Sequence, residues 1–154
     1  MRDLITCTKI YRDIPFAHRQ HNHDGHCAWL HGHNWEIEIE FQSHSLDING
    51  FVIDFGKLKF IKRWIDENLD HALLLNESDP ERGYLESVLI HNGMPFAKIV
   101  VVPDGSAEGL AQYFWATFDA MVRQETEDRV WIRRVTVRED SKNSATYMPG
   151  RGEL

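Results

Sequence analysis

The chain has 154 residues, 42% of them hydrophobic and 27% charged, enough for one domain that buries roughly two-thirds of its unfolded surface and too few for a second. Seventeen Lys and Arg against 24 Asp and Glu give a net charge of -7, the wrong sign for a protein that grips a phosphate backbone, so nucleic acid is not an expected partner. Cys7 and Cys27 are too few for a disulfide scaffold, the first residues alternate where a signal peptide would be continuously apolar, and runs such as Ile99 to Val102 fall far below the roughly 18 residues of a membrane span. A cytoplasmic chain with no membrane partner is expected.

The first expected strand covers about Leu4 to Phe16, with Leu4, Ile10, Ile14 and Phe16 at even positions and His18 continuing that parity. In the second, Trp35, Ile37, Ile39 and Phe41 alternate with Glu36, Glu38 and Glu40, which predicts one buried face and one acidic, solvated face. A helix follows, with Asp54 as its N-cap and Leu58, Ile61, Ile65 and Leu69 at helical spacing. Turn signals at Asp79-Pro80, Gly83, Asn92-Gly93 and Pro95 then surround the β-branched run Ile99 to Val102, so about 76–105 reads as an insertion with a short strand of its own. A second helix starts near Ser106, its cap, and carries Leu110, Phe114, Phe118 and Met121 on one stripe to about Gln124. Beyond it, Trp131, Val135, Val137 and Glu139 share one parity, Arg134, Thr136 and Arg138 the other, and a short strand through Ala145 and Tyr147 ends the pattern.

This order predicts an α+β domain, a four-stranded antiparallel sheet with two helices on one face. The other face would lack a cover, so burial against another subunit is expected.

Six of nine histidines, His18, His21, His23, His26, His31 and His33, fall in one short window. His31 and His33 stand two apart at the entrance to the clearest strand, so their rings point the same way, and His18 offers a third nitrogen. Three histidines are the set with which zinc keeps an open position, although an isolated His-x-His is equally a solvated pair. Gly32 between them would let the backbone bend about the ion, and His21-Asn22-His23 has the same form but no strand to orient it. Cys27 is a fourth ligand, a general base favoured as a thiolate by its surroundings, or an inert small side chain, and Cys7 suits packing inside a strand. Asp70 and His71 end the first helix and can cooperate only where it unwinds; otherwise His71 complements the helix C-terminus. Glu139, a carboxylate on an inward parity, suits a guanidinium or a 2-aminopyrimidinone edge, unless the strand already ends in water. Glu108 sits in a first helical turn, where it complements the dipole.

Phe16-Ala17-His18, Cys27-Ala28-Trp29-Leu30-His31-Gly32-His33, Val52-Ile53-Asp54-Phe55 with Leu58-Lys59, Leu69-Asp70-His71, Ser106-Ala107-Glu108 and Val135-Thr136-Val137-Arg138-Glu139 follow one another along the chain. In that order they resemble the 6-pyruvoyltetrahydropterin synthase / 6-carboxytetrahydropterin synthase family, across residues 4 to 147 apart from the insertion. The three-residue gap between Cys27 and His31 is similar to that of the queuosine-pathway 6-carboxytetrahydropterin synthases, whose pyruvoyl-forming relatives usually have a longer one. The resemblance implies a tunnelling fold (T-fold) in which three subunits close their sheets into a barrel and two trimers stack into a homohexamer with active sites at subunit interfaces.

It also implies zinc on His18, His31 and His33, Cys27 as general base, His71 with Asp70 as proton relay, Glu139 as pterin anchor, and Ser106 and Glu108 beside the substrate. The implied substrate is a pterin triphosphate, 7,8-dihydroneopterin triphosphate, which would lose triphosphate and acetaldehyde to give 6-carboxy-5,6,7,8-tetrahydropterin. The chain departs from the family pattern at Asp140, where Thr is common, and at Asp104-Gly105-Ser106, where Pro-Thr commonly precedes the helix. A 6-pyruvoyltetrahydropterin product on the same fold and a non-catalytic zinc-binding protein are the alternatives. Lys57, Lys59 and Arg138 are positional candidates for the triphosphate, without a site to join them.

Overall fold

The Glu-aliphatic alternation of residues 35–41 becomes the middle of strand β2 (His31–Ser43), in which Trp35, Ile37, Ile39 and Phe41 are fully buried. The computed structural model that shows this describes residues 3–91 and 93–150. Strand β1 (Ile5–His18) lies antiparallel to β2, from Ile5 opposite Ser43 to His18 opposite His31. Their register slips between Tyr11 and Ile14, where Asp13 takes a left-handed φ of 57°. An extra residue at such a bulge inverts the side-chain parity. Tyr11 is therefore buried before it, and Ile14, Phe16 and His18 after it. The even parity expected from Leu4 onward holds only beyond the bulge, since Leu4 is exposed and Ile10 only partly covered. Cys7 packs partly buried against the core, as expected.

Asp54 caps a short 3-10 turn, Phe55–Lys57, by accepting the Gly56 N–H at 2.8 Å, and helix α1 (Lys59–Asn68) follows that turn. Leu58, Ile61, Ile65 and Leu69 are all buried against the sheet. Strand β3 (Ala72–Asn76), buried throughout, runs parallel to β1 at Phe16 and Ala17 and parallel along its other edge to strand β6 (Lys98–Val102). Between them lie helix α2 (Arg82–Leu89) and a small hairpin of β4 (Ile90–His91) and β5 (Met94–Pro95). The stretch 76–105 thus contributes the end of an inner strand and the whole of an edge strand, besides a helix.

Helix α3 (Ala107–Thr126) opens at Ser106, whose Oγ accepts the Gly109 N–H at 3.0 Å. Leu110, Phe114, Phe118 and Val122 are fully buried, each contributing roughly 1.5–3 kcal/mol, whereas Met121 is only partly covered. Strand β7 (Val130–Arg138) pairs with β2, and strand β8 (Ser144–Tyr147) closes the edge. A second slip, opposite Glu40 and Phe41, places Val130 and Ile132 inward before it and Val135 and Val137 after it. Trp131 does not share their face; its indole N–H donates to Gln42 Oε1 at 3.1 Å.

Among the described residues, the sheet has six strands in the order β6-β3-β1-β2-β7-β8, with parallel pairs at one end, and it is accompanied by three helices, instead of the expected four antiparallel strands and two helices. The missing strand β3 follows a helix stripe directly and shows an unbroken apolar run, because a strand covered on both faces has no alternation. The sheet face away from the helices also differs from expectation. Arg138 donates to Glu36 and Glu38 at 3.0 and 2.8 Å, and Arg134 pairs with Glu38 and Glu40, so this face is a neutralised ion-pair ladder. Among the described residues, no helix is long and apolar enough to cross a membrane.

Candidate active site

Antiparallel pairing sets His18 opposite His31 and Phe16 opposite His33, all on the inward face of the sheet. Phe16 and Trp35 stack with ring centroids 4.5 Å apart, and Trp35 meets His18 and His33 edge-on at 4.9 and 5.1 Å. The apolar core therefore ends in imidazoles. One nitrogen from each of His18, His31 and His33 lies within 4.8 Å of the other two, so these residues can hold a metal ion.

The rings are prepared for one. His18 Nδ1 donates to the Gly105 carbonyl and His31 Nδ1 to the Trp29 carbonyl, both at 2.6 Å, which fixes Nε2 as the free lone pair in each. The Nε2 atoms of His18 and His33 are buried without a hydrogen-bond partner among the described residues. Buried polar atoms without partners are costly, and two that point at one place fit a shared cation. Burial first, then repulsion by His31 and His33, lowers the His18 pKa from 6.5 to about 4 despite the Gly105 bond, and the neutral ring so favoured is the ligating form. Gly32 lies in regular strand, where a Cβ would sit an ordinary 3.6 Å from the Phe16 carbonyl, so the expected bend is absent.

Behind His18 stands a polar network that sequence reasoning missed. Asn76 Oδ1 accepts the Gly105 N–H at 2.7 Å, and a Cβ at position 105 would lie 2.8 Å from that oxygen, so the close approach requires glycine. Asn76 Nδ2 donates to Gln20 Oε1, Gln20 Nε2 to Asp104 Oδ1, and the Ser106 N–H to the same Asp104 oxygen. Asp104-Gly105-Ser106 thus joins the support of His18 to the cap of α3. Its only sequence signal is a polar residue, Asn76, closing an apolar run.

Cys27 lies on a short 3-10 turn, His26–Ala28. Its carbonyl accepts the Gln20 N–H at 2.8 Å. Arg19 grips the buried Asp79 carboxylate at 2.6 and 2.9 Å and donates to the Ala28 carbonyl at 3.2 Å, tying the turn to the loop before α2. That guanidinium holds the Asp79 carboxyl below its ordinary pKa. Cys27 borders a cavity of about 630 Å³ with His18, His31, His33, Glu108 and Glu139. Ser106 and Asp140 border it as well.

Glu139 places Oε1 3.8 Å from His18 Nε2 and 4.0 Å from His33 Nε2, with the side chain 26% exposed. Asp140 is committed elsewhere. Its Oδ1 accepts the backbone N–H groups of Lys142 and Asn143, closing the β7–β8 turn, and these bonds lower its carboxyl pKa.

Asp70 and His71 are not brought to this cavity. The helix does unwind at His71, whose φ is 57°, and its Nδ1 meets Asp70 Oδ1 at 2.9 Å, so the condition for cooperation is met. The His71 side chain, however, is 80% exposed. His21 and His23 form no second centre, because among the described residues His18, His31 and His33 are the one metal-sized group of three.

The chain matches the family 6-pyruvoyl tetrahydropterin synthase over residues 7–150. A 6-carboxy-5,6,7,8-tetrahydropterin synthase of Rickettsia felis is 45% identical over 83 residues, covering 52% of this chain and 58% of that protein. Its counterpart in Rickettsia bellii is 40% identical over 93 residues, covering 58% and 64%, so the matched stretch spans under two-thirds of either relative. Among solved structures, an uncharacterized protein from Wolinella succinogenes superimposes with a TM-score of 0.79 at 20% identity, over 96% of this chain and 99% of that one. A 6-pyruvoyltetrahydropterin synthase from Plasmodium vivax follows at 0.67 and 21%, over 93% and 97%. The α+β tunnelling fold is therefore as expected in class, with more strands, and a match over nearly the whole sequence shows that the chain belongs to the 6-pyruvoyl tetrahydropterin synthase family.

Proposed function

We propose that the protein is a zinc-dependent lyase that converts 7,8-dihydroneopterin triphosphate and water to 6-carboxy-5,6,7,8-tetrahydropterin, acetaldehyde and triphosphate on the queuosine (7-deazapurine) route. The observation that carries this reading is the convergence of orphaned imidazole nitrogens on a cavity shared with a thiol and a carboxylate. The carboxy-forming product is supported by the names of the Rickettsia relatives and by the short gap between Cys27 and His31.

His18, His31 and His33 would hold zinc, a three-histidine set that leaves a position for substrate oxygens. When bound, the ion supplies positive charge that stabilises negative charge on a substrate oxygen as a carbon-bound proton leaves. Cys27, as thiolate, takes that proton. Glu139 accepts the 2-amino group and adjacent ring N–H of the pterin in two charge-assisted bonds, which sets the side chain of the substrate over the histidines. Ser106, whose hydroxyl oxygen caps α3, and Glu108 form the wall beside the substrate. A cavity of about 630 Å³ is within the usual range for such a ligand.

Asp70 and His71 serve the cavity of a neighbouring copy in a homohexamer. Two features support this: the exposure of His71, and the Ile5–Ile14 stretch of β1, which among the described residues has a strand partner on one side alone because β3 pairs at Phe16 and Ala17. There Asp70 orients His71 through Nδ1 and leaves Nε2 to exchange protons with substrate.

Incubation of the purified protein with dihydroneopterin triphosphate, with and without a zinc chelator, tests the reading by product mass. Chelator-sensitive 6-carboxytetrahydropterin with acetaldehyde is expected. A 6-pyruvoyltetrahydropterin product would move the assignment to the sister activity, and no turnover by folded, metal-loaded protein would overturn the lyase reading.

A further inference from the structure

We infer that the triphosphate tail is held by the groove between β1 and α1 on the neighbouring copy, with Lys9, Lys59 and the Tyr11 hydroxyl as its grip, and not by the chain that binds the pterin. This rests on the reading above, in which the reacting site is shared between copies.

The cavity at the histidines is a poor place for a polyanion. Among the described residues, its border carries the carboxylates of Glu108, Glu139 and Asp140 against a single Lys or Arg, Lys142. The positional candidates do not help there. Arg138 is spent on Glu36 and Glu38 across the other sheet face, and Lys57 borders a different hollow with Asp47, Glu125 and Glu127.

Lys59 does border a groove of about 370 Å³, and so do Lys9, Tyr11, Arg12, Lys62 and Asp70. Tyr11 is only 7% exposed, and its hydroxyl is buried with no partner among the described residues. Such an orphan donor in a groove is satisfied by an acceptor that enters from outside. Burial pushes the phenol up to about 12, so it remains a donor at neutral pH. Lys9 Nζ stands 5.9 Å from the centre of the same ring.

The acids of the groove are already engaged: Asp66 with Lys62, Asp13 with Asn34 and Asp70 with His71. Arg12 is paired with Glu36 and Lys62 with Asp66, which leaves Lys9 and Lys59 as the cations of this groove without a carboxylate partner among the described residues. The covalent order of the substrate agrees with this placement. The tail begins one carbon beyond the reacting diol, so the surface that presents His71 to the reacting carbons is also the surface the phosphates reach, and Asp70 joins His71 to the groove.

The test titrates inorganic triphosphate, and separately unphosphorylated dihydroneopterin, into the intact zinc-loaded assembly by calorimetry. Triphosphate binding that weakens with salt is expected, with a loss of about tenfold or more in a Lys9→Ala/Lys59→Ala double variant and a smaller loss in Tyr11→Phe. Dihydroneopterin affinity should stay level, and KM for the triphosphate ester should rise more than kcat falls. Lys59→Glu, at an exposed helix position, gives the same readout if the double variant assembles badly. Triphosphate affinity that survives these changes but falls in Lys142→Ala, or no triphosphate binding at all, would overturn the inference. Collapse of triphosphate affinity in a protein that neither binds dihydroneopterin nor turns over its triphosphate would uphold the groove and overturn the lyase reading alone.

Discussion

The strand-end histidines and the Asp70–His71 corner use the same chemistry in opposite settings. His18 is 2% exposed, and the Nδ1 atoms of both His18 and His31 are tied to backbone carbonyls, whereas the His71 side chain is 80% exposed and bonds its neighbour Asp70. The chain orients two rings of the first group through backbone carbonyls and merely presents the second. A metal site needs fixed lone pairs before the ion arrives, while a proton carrier that acts on another copy must stand outside its own fold.

Removing a metal nitrogen should break the prepared half most severely. His31→Ala or His33→Ala is expected to weaken zinc binding by more than about 100-fold and to abolish turnover, since outer partners alone are worth about 10–100-fold; metal content after dialysis reads the result. Cys27→Ala and His71→Ala should instead keep zinc while turnover falls by about 10²–10⁴-fold, the usual worth of a positioned acid or base. Zinc lost in His71→Ala would mean that the two halves are not separate.

A gentler change sharpens the comparison. Asn76→Ala strands the buried Gly105 N–H, whose carbonyl orients His18, and is expected to cost about 1–3 kcal/mol in stability together with about 10–100-fold in zinc affinity. The corner offers no equivalent: its backbone is tied by the His71 N–H to the Pro15 carbonyl, but among the described residues the hydrogen-bond partner of the His71 ring is the exposed Asp70 carboxylate. Smallest is the effect of pH on the metal-free protein. The fold accepts His18 as the neutral ring with pKa about 4, while the unfolded chain protonates near 6.5, so its contribution is complete above about pH 6.5 and is lost as pH falls toward 4. Urea melts across that range should show a slope that His18→Gln removes, and an unchanged slope would contradict the burial argument.

Much of the prepared half was legible because one alternation runs from Ile37 and Trp35 straight into His33 and His31. The inward position of His18 agrees with its parity, although that parity is restored only by the bulge at Asp13, which no residue pattern announces. The ion-pair ladder was misread as a solvated acidic face because Glu36, Glu38 and Glu40 meet Arg134 and Arg138 only once β2 and β7 are in register. Strand β3 was hidden by its burial on both faces, and with it the role of Asn76, which looks like a turn residue when the strand before it is not seen. The cooperation of Asp70 with His71 needed a left-handed backbone at a histidine, which sequence permits but does not specify.

The central claim is that the prepared cluster of one chain works with the presented corner of another, and mixed assemblies test it most directly. Cys27→Ala and His71→Ala chains, each inactive alone, should on co-expression recover about a quarter of wild-type turnover, the statistical share of interfaces with both halves intact. Mixed assemblies that remain as inactive as their parents would place both residues in the service of a single chain and contradict the account.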